Sequence, residues 1–394
     1  LSQTFLLFKF NSLILKLMIN LLKTLKRIIF NYSIDIEFPK KVDVMLLDYN
    51  YANLKFEYPI SYKVKKKNSI NLIIFSSTIL NFFFKFNKIK FADLYFKKYI
   101  EFHDPKVTIG HEIDRNIFRF KMLFPHKKSI IYQFANYSNF FEKTAQKMIS
   151  HNNKFKLKGD FFLIKNDYLK DFFNFIDAKF INAGSVKNNE LIIKKAEKKY
   201  DIMFVSQYRE PTPSYWGTNN NIGGMKTTLA SISYLMKILN NYCTERNKKI
   251  CIAMCAYRKD KSTKLDDEIN FYSRDIKKFY HENISSYDLA EKSEMIITIN
   301  STLGSELLSR NKKALFIDLL HFFGSAHAPF INTKEDFFYY KGQDPEVIKK
   351  KIDYILQIKN DEWIKKLNES SFKMKFDQNN SILKKLVKDL IKNN

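Results

Sequence analysis

The stretch MIITINSTLGSELLSRNKKALFID, residues 295–318, decides the fold. Its two ends, MIITIN (295–300) and KALFID (313–318), are short apolar runs of the kind that form buried strands in parallel sheets. The middle predicts a turn at Ser301 and Thr302, followed by a helix. The stretch therefore predicts a strand–turn–helix–strand unit.

Seven further apolar runs alternate with helical patterns along the chain. They are VDVMLLD (42–48), KVTIG (106–110), SIIYQF (129–134), DFFLI (160–164), AKFINA (178–183), DIMFVS (201–206) and KICIAMCA (249–256). Helical patterns cover residues 225–247 and 265–281, among others. Strands that alternate with helices predict βαβ units and parallel sheets. Nine strands are too many for one compact half of the protein, so we divide them between two halves at the polar segment 184–200.

We therefore predict an α/β protein with two Rossmann-like, doubly wound domains that face a cleft, and an N-terminal amphipathic helix. The predicted parts are a basic N-terminal segment (1–40), an N-terminal Rossmann-like domain (41–190), a C-terminal Rossmann-like domain (191–370) and a C-terminal helix (371–394). In doubly wound sheets, ligands bind beyond the carboxyl ends of the strands. The residues that directly follow each strand are therefore the candidates for a functional site.

Composition and charge narrow the class of protein. The chain has 394 residues, of which 45% are hydrophobic and 16% aromatic, so it is not a disordered protein. The net charge of +26 fits nucleic acid, an anionic membrane surface or anionic substrates as partners. Because the sequence contains no recognised nucleic-acid motif, we expect no nucleic acid partner. Three cysteines exclude a disulfide scaffold and indicate a reducing compartment.

The N-terminal residues 13–29 read LILKLMINLLKTLKRII and carry Lys and Arg between Leu and Ile at helical spacings. This pattern predicts an amphipathic helix on an anionic membrane surface. A helix docked on the protein's own core is the alternative. The charges interrupt each apolar run before the roughly 18 to 20 residues that a membrane-spanning helix needs. Met18 is a candidate start of the native chain.

The turn after residues 295–300 has the chemistry of a phosphate site. The helix over about 303–310 offers free N–H groups and a positive dipole end, and Ser301 and Thr302 add hydroxyl donors. Glu306 lies four residues after Thr302, where its carboxylate can accept hydrogen bonds from ribose hydroxyls. A plain N-cap at Ser301 or Thr302 is the alternative.

Two other strand ends carry side chains that suit phosphate. Gln207 and Arg209 follow the run at 201–206, and Arg258 follows the run at 249–256. Arg can pair with phosphate through two parallel hydrogen bonds. We therefore expect these three side chains at the nucleotide site. A surface loop for the first two, and solvent exposure for Arg258, are the alternatives.

The candidates for acid–base chemistry follow the run at 106–110. His111, Glu112 and Asp114 form a cluster in which a base could accept a proton from a substrate hydroxyl. The alternative is that Asp114 is a helix N-cap and the other two are solvated. Four further residues are expected to be structural or exposed, namely His281, Glu282, His321 and His327.

We expect no metal site. Cys251 and Cys255 lie on one predicted strand, and Cys243 is nearby in the sequence. No pair of histidines accompanies them, so buried thiols are favoured over a zinc site.

Seven motifs between about residues 40 and 370 carry a family resemblance. They are VDVMLLD (42–48), PKVTIGHEIDRN (105–116), IYQF around Gln133, NAGSVKNN (182–189), DIMFVSQYR (201–209), INSTLGSELLSRNKKALF (299–316) and FFGSAHAPF (322–330). Through them the chain resembles the bacterial surface carbohydrate biosynthesis protein family, which is GT-B glycosyltransferase-like. That family is related in style to the CDP-glycerol glycerophosphotransferases and polysialyltransferases. Residues 133–136 and 323–326 depart from the family pattern.

The resemblance implies a GT-B fold, with an acceptor domain followed by a donor-nucleotide domain. It implies a cytoplasmic enzyme, peripheral on the inner face of the cytoplasmic membrane, that takes part in lipopolysaccharide or capsule assembly. The implied partners are a nucleotide-sugar donor, a lipid-linked or polysaccharide acceptor and the anionic inner-leaflet surface. Because GT-B enzymes as a class do not need a bound metal, we expect no cofactor.

The predicted function is therefore that of a glycosyltransferase, either inverting or retaining. Ser301 and Thr302 would hold the phosphates of the donor, Glu306 its ribose, and Arg209 or Arg258 would offset charge on the leaving group. One alternative is a CDP-glycerol-type glycerophosphotransferase, which would favour a histidine base such as His281 or His327. The other is a non-catalytic GT-B scaffold in the same pathway.

Overall fold

The computed structural model describes residues 33–47, 54–56, 59–64, 69–85, 91–134, 157–209, 219–257, 263–319, 336–370 and 373–393. The predicted N-terminal helix at 13–29 lies outside these residues. Within them the protein has the α/β architecture that the sequence predicts. Two main sheets carry most of the strands, and helices follow them along the chain.

The first main sheet comes from the N-terminal half of the chain. The strands of this half of the chain are β1 (Ser33–Asp35), β2 (Val44–Leu46), β3 (Tyr62–Val64), β4 (Ser69–Asn71), β5 (Val107–His111), β6 (Lys128–Tyr132), β7 (Leu157–Ile164) and β8 (Ile176–Asn182). Six of these strands lie in the order β3-β2-β5-β6-β7-β8, and β1 pairs with β4 in a small separate sheet. The β2–β3, β2–β5 and β5–β6 pairs are parallel.

The second main sheet is parallel throughout. Its strands are β9 (Tyr200–Val205), β10 (Ile250–Ala253), β11 (Ser293–Thr298), β12 (Ala314–Ile317) and β13 (Tyr339–Tyr340). They lie in the order β10-β9-β11-β12-β13. Strands β10 and β12 are buried along their whole length, which is why they read in the sequence as continuous apolar runs.

Helices connect these strands. The α-helices of the described residues are α1 (Leu72–Lys85), α2 (Phe91–His103), α3 (Arg115–Leu123), α4 (Val186–Glu190), α5 (Asn219–Glu245), α6 (Leu265–Ser273), α7 (Ser286–Glu291), α8 (Thr302–Ser309), α9 (Pro345–Gln357), α10 (Asn360–Glu369) and α11 (Ser381–Lys392). In the described part of the chain, none of them has the length and apolar character that a membrane span requires.

All nine predicted strands are present, and β1, β3, β4 and β13 are additional short strands. The helix predicted over 265–281 is shorter, because α6 ends at Ser273. The chain then turns back to the edge of the second sheet, where Tyr280 N donates to Ile250 O at 3.0 Å and Ile252 N donates to Tyr280 O at 2.8 Å. The extended backbone that these bonds require is incompatible with a continued helix.

Contacts between residues group the chain into two compact units. The first comprises Leu1–Tyr132, Lys158–Phe162 and Leu383–Asn394, and the second comprises Gln133–Leu157 and Leu163–Ile382. The whole second main sheet belongs to the second unit. The domain boundaries expected from the sequence stay a prediction.

Candidate functional site

The strand order of the second main sheet identifies where a ligand would bind. Strand β9 is followed along the chain by β10 on one side and by β11 on the other. The chain passes from β9 to β10 on one side and then crosses to β11 on the other, so the strand order changes direction between β9 and β11. A crevice is expected there, beyond the carboxyl ends of these two strands. Such a switch point is the usual ligand site of a doubly wound sheet. The residues that meet there are 206–209 after β9 and 299–302 after β11.

Two amide side chains join the loops on either side of this crevice. Gln207 Nε2 donates a hydrogen bond to Asn300 Oδ1, and Asn300 N donates to Gln207 Oε1 at 3.4 Å. The structure therefore places the predicted residue Gln207 against the β11 loop. Asn300 was not predicted as a site residue, although it directly precedes Ser301 and ends the run that decided the fold.

Ser301 is the N-cap residue of α8, which is the alternative that the sequence left open. Its Oγ accepts a hydrogen bond from Leu303 N at 3.3 Å, and Ser301 N donates to Thr298 Oγ1 at 3.1 Å. Thr302 is the first residue of α8 and is half-buried. The N-terminus of α8, with its positive dipole end, thus begins at the switch point, as an anion site requires.

Close packing against the sheet fixes the position of α8. A Cβ atom on Gly304 would lie 2.6 Å from Thr298 Cγ2 and 2.8 Å from Phe316 Cζ. A side chain at this position would therefore force Thr298 or Phe316 to shift. The absence of a Cβ lets the helix pack closely on β11 and β12.

Glu306, the predicted ribose ligand, is buried on α8 with 5% exposure. Ser185 Oγ donates to its Oε1 at 2.6 Å, and Tyr287 Oη donates to its Oε2 at 2.5 Å. Both carboxylate oxygens are therefore engaged inside the protein. A carboxylate has about four lone-pair positions, so a ribose hydroxyl would have to use one of the remaining two. Ribose binding by Glu306 stays a prediction.

The segment GSVKNN (184–189) forms hydrogen bonds with α8. Asn188 Nδ2 donates to Glu306 O at 3.2 Å and to Ser309 Oγ at 2.9 Å. Arg310 Nε donates in turn to Asn188 Oδ1 at 2.7 Å, and burial lowers the pKa of the Arg310 guanidinium. This motif, noted in the sequence only as part of the family resemblance, is a support for the helix of the candidate site.

A second support lies beneath the β9 and β10 loops and was missed in the sequence. Glu268 is fully buried, and its carboxylate accepts hydrogen bonds from Ser206 Oγ and from the backbone N–H groups of Cys255 and Ala256. An acidic residue in the first turn of a helix is usually a solvated dipole partner, so the sequence carries no signal for this role. Tyr272, one turn further along α6, donates from its Oη to Ser206 Oγ at 2.7 Å.

Of the two arginines predicted at the nucleotide site, the structure describes Arg209 but not Arg258. Arg209 is half-buried, and its Nη1 donates to Tyr208 O at 2.9 Å. Arg258 lies outside the described residues. The preceding residue, Tyr257, shares a hydrogen bond of 2.6 Å between its Oη and His281 Nδ1. Burial, together with the charge of Glu268, raises the pKa of Tyr257. Phosphate binding by either arginine stays a prediction.

The predicted acid–base cluster lies at the corresponding point of the first main sheet. There β2 is flanked by β3 on one side and β5 on the other, and His111 ends β5. Asp114 is the N-cap of α3, and its Oδ1 accepts from Asn116 N at 2.9 Å. His111 Nδ1 accepts from Ile113 N at 3.1 Å, which places the proton of a neutral imidazole on Nε2.

Glu112 differs from its two neighbours because its side chain is 3% exposed. The N-cap alternative stated for Asp114 is therefore what the structure contains, whereas the assignment of a base among the three residues stays a prediction.

The other polar residues noted in the sequence are accounted for as follows. The free thiols of Cys243, Cys251 and Cys255 are buried as expected, and burial raises the pKa of Cys243 and of Cys251 to about 12. Glu282 Oε1 accepts from Tyr200 Oη at 2.8 Å. Among the described residues, no group of three or more His, Cys, Asp or Glu side chains could hold a metal ion.

The two regions that depart from the family pattern are only partly visible. Gln133 is buried, and its Oε1 accepts from Lys165 N at 3.0 Å. Lys165 is itself fully buried at the end of β7, and its Nζ donates to Phe134 O at 2.8 Å. His321, His327 and residues 323–326 lie outside the described part of the chain.

The fold defines an α/β protein of GT-B type, with a candidate ligand site at the switch point of its second main sheet. A family model described as "putative O-antigen biosynthesis protein" matches residues 139–391, which is more than half of the chain. The chain belongs to this family. The expected relationship to bacterial surface carbohydrate biosynthesis is therefore confirmed.

The similarity to a solved structure from Listeria monocytogenes confirms the fold class. A structure described as "putative UDP-N-acetylglucosamine 2-epimerase" from Listeria monocytogenes has a TM-score of 0.56 and 11% identity, covering 90% of this chain and 98% of that one. The Methanocaldococcus jannaschii UDP-GlcNAc 2-epimerase in complex with UDP-GlcNAc and UDP has a TM-score of 0.48 and 11% identity, covering 89% and 99%. The wall teichoic acid polymerase TagF has a TM-score of 0.48 and 11% identity, covering 91% and 90%. A search of curated protein sequences found no match.

Proposed function

We propose that the protein is a glycosyltransferase that moves a sugar from a nucleotide-sugar donor to a surface polysaccharide or lipopolysaccharide acceptor. The observation that carries the proposal is the N-terminus of α8 at the switch point of the second sheet, beside the paired side chains of Gln207 and Asn300. Membership in an O-antigen biosynthesis family supports the choice of substrate class.

The donor would bind through its phosphates. Thr302 and the first free N–H groups of α8 would contact them, with Ser301 holding the turn. Arg209, and Arg258 after β10, would offset the negative charge that develops on the departing nucleotide. With a helix dipole and cations in these roles, we propose that no metal is required. Glu306 would reach the ribose through its remaining lone pairs.

The acceptor hydroxyl must lose a proton as the glycosidic bond forms. We place the base among His111, Glu112 and Asp114 and favour Glu112. Asp114 Oδ1 accepts from Asn116 N as the cap of α3, and His111 Nδ1 accepts from Ile113 N, which leaves the proton of a neutral imidazole on Nε2. Glu112 is the buried carboxyl group of the three, and a carboxylate can accept a proton from a hydroxyl within hydrogen-bond reach.

We propose that the enzyme acts on the inner face of the cytoplasmic membrane, on a lipid-linked or polysaccharide acceptor. Besides the basic N-terminal sequence, a row of apolar side chains supports a membrane contact. Ile34, Ile36 and Phe38 occupy alternate positions in and after β1 and are 55%, 73% and 72% exposed. Exposed apolar groups beside lysines suit an anionic bilayer. Replacing all three by Ser should reduce binding to anionic vesicles, whereas unchanged binding would contradict this part.

The central experiment is thermal unfolding in the presence of CMP, CDP, UDP, GDP or ADP. A ligand at about 100 times its dissociation constant should add about 2.7 kcal/mol to the stability of the parent. Thr302→Glu places a carboxylate at the first residue of α8, which favours the helix dipole but repels phosphate. If the nucleotide affinity of Thr302→Glu is about tenfold lower, the same nucleotide concentration adds only about 1.4 kcal/mol to the stability of this variant.

Ser286→Glu is the matched control, because Ser286 is likewise the first residue of a helix, α7. It should leave the nucleotide effect unchanged. If no nucleotide stabilises the folded parent at millimolar concentration, the transferase proposal fails and the non-catalytic scaffold is favoured. Selective stabilisation by CMP or CDP, with release of CMP from CDP-glycerol, would instead favour the glycerophosphotransferase. In that case His281, which pairs with Tyr257, becomes the base to test.

A further inference from the structure

The buried carboxylate of Glu268 sits at the point where the loops after β9 and β10 meet. Its Oε1 accepts from Cys255 N at 2.9 Å, and its Oε2 accepts from Ala256 N at 2.8 Å. Ser206 Oγ donates a further hydrogen bond to Oε1. One side chain on α6 thus holds the first residues beyond two neighbouring strands of the sheet.

A network of hydrogen bonds surrounds this carboxylate. Ser206 Oγ, while donating to Glu268, accepts from Tyr272 Oη at 2.7 Å and from Tyr208 N at 3.2 Å. The Cys255 thiol donates to Ser206 O at 3.2 Å. A buried polar group without hydrogen bonds would be costly, so this network accounts for a glutamate side chain in a fully buried position.

The loops that Glu268 holds are those that carry the proposed donor contacts. Gln207 and Arg209 directly follow Ser206, and Arg258 comes two residues after Ala256. Burial raises the pKa of Tyr272 well above its usual value, and the charge of Arg209 acts in the opposite direction. The guanidinium of Arg209 is therefore within electrostatic range of the Glu268 network.

We propose that Glu268 is a positioning residue that fixes the β9 and β10 loops in the arrangement that binds the phosphates of the donor. It does so through Ser206 and the backbone N–H groups of Cys255 and Ala256, without touching the nucleotide. This inference rests on the proposed function for its ligand. The arrangement of the loops themselves can be tested without any ligand.

The test compares Glu268→Gln with Glu291→Gln. Both residues are buried glutamates of the second unit. Glu291 is the last residue of α7, and its Oε2 accepts a hydrogen bond from Lys312 Nζ at 2.5 Å. In Glu268→Gln an amide NH2 replaces one acceptor oxygen and faces a donor, which leaves a buried donor unsatisfied. A penalty of this kind corresponds to about a tenfold loss of affinity if it is expressed in nucleotide binding.

Three readouts separate positioning from a general loss of stability. In Glu268→Gln, the dissociation constant of the best nucleotide should rise about tenfold, while Glu291→Gln should bind like the parent. In turnover, the KM for the donor should rise and the KM for the acceptor should stay unchanged. Hydrogen exchange without ligand should accelerate in residues 206–209 and 255–257 of Glu268→Gln more than in the remaining segments of the sheet.

Tyr272→Phe provides a milder variant in case Glu268→Gln does not fold. It removes only the hydroxyl that donates to Ser206 and keeps the ring in the core. Its matched control is Tyr242→Phe, which removes the bond from Tyr242 Oη to Asp353 Oδ1 at 2.7 Å. Tyr272→Phe should weaken nucleotide binding by a smaller factor, and Tyr242→Phe should not weaken it.

Two results would overturn the inference. One is nucleotide binding by Glu268→Gln and Tyr272→Phe that equals that of their controls. The other is unchanged hydrogen exchange in residues 206–209 and 255–257. If the parent binds no nucleotide, the proposed function fails, and the exchange measurement alone then decides whether Glu268 holds the loops.

Discussion

The carboxyl ends of β5 and β11 offer an instructive comparison. Each strand lies at the switch point of its own sheet and is followed by a turn and a helix, α3 or α8. In both turns one polar residue, Asp114 or Ser301, caps the helix. At the end of β5 the neighbouring residues are a histidine and a buried glutamate, whereas beyond β11 Asn300 pairs with Gln207 of the β9 loop. The topology fixes the location, and the residues beside the cap determine the chemistry.

The largest expected effect separates these two chemistries. Glu112→Gln should lower turnover by about 100-fold or more, because a general base typically contributes 10²–10⁴-fold. Its nucleotide affinity should equal that of the parent, since the change lies in the first sheet. Steady-state kinetics with the donor identified by thermal unfolding would measure both quantities.

Two neighbouring variants serve as controls for this comparison. His111→Gln and Asp114→Ser should each lower turnover much less than Glu112→Gln, and serine can still cap α3. If Asp114→Ser is as damaging as Glu112→Gln, Asp114 is the base. If no variant of the three changes turnover by more than a few-fold, the base lies elsewhere.

The packing of the two helices against their sheets gives the next effect. Gly304 of α8 would place a Cβ within 2.8 Å of both Thr298 Cγ2 and Phe316 Cζ, whereas a Cβ on Gly110 of β5 would lie 3.0 Å from Ile117 Cβ. Overpacking in a core costs typically about 1–3 kcal/mol. Gly304→Ala should therefore fall near the upper end of this range and Gly110→Ala near the lower end.

Denaturant unfolding of both variants would measure the difference. Gly304→Ala should also weaken nucleotide binding, because the added methyl group displaces the N-terminus of α8 from the sheet. Gly110→Ala should leave nucleotide binding unchanged. Equal losses of stability in the two variants would show that α8 is not packed more closely than α3.

The sequence predicted the strands well because buried parallel strands are continuous apolar runs. The nine predicted strands include every strand of the second sheet except β13, whose two residues are too short to form a pattern. The short strands β1, β3 and β4 were not predicted from the sequence, because three residues are likewise too few to form a pattern. The strand ends, and with them Gln207 and Ser301, could be located from the sequence because they follow such runs.

The partners of the site residues could not be predicted in this way. Glu306 is bonded to Ser185, which lies 121 residues away, and Glu268 is bonded to Ser206, which lies 62 residues away. A hydrogen bond over such a separation leaves no periodic signal in one sequence. The sequence singled out Glu306 by its position after the turn but carried no signal for Glu268, and only the structure reveals that both are buried.

The smallest expected effect tests the two caps directly. Ser301→Ala and Asp114→Ala each remove an N-cap oxygen, which accepts from Leu303 N in one helix and from Asn116 N in the other. The loss of such a cap costs typically about 1 kcal/mol. The two variants should therefore lose similar stability in denaturant unfolding. Because only the turn beyond β11 holds the proposed phosphate site, Ser301→Ala alone should weaken nucleotide binding, by a few-fold at most. Equal nucleotide affinity in both variants would mean that the α8 turn binds no phosphate, even though its cap and its topology match those of a nucleotide site.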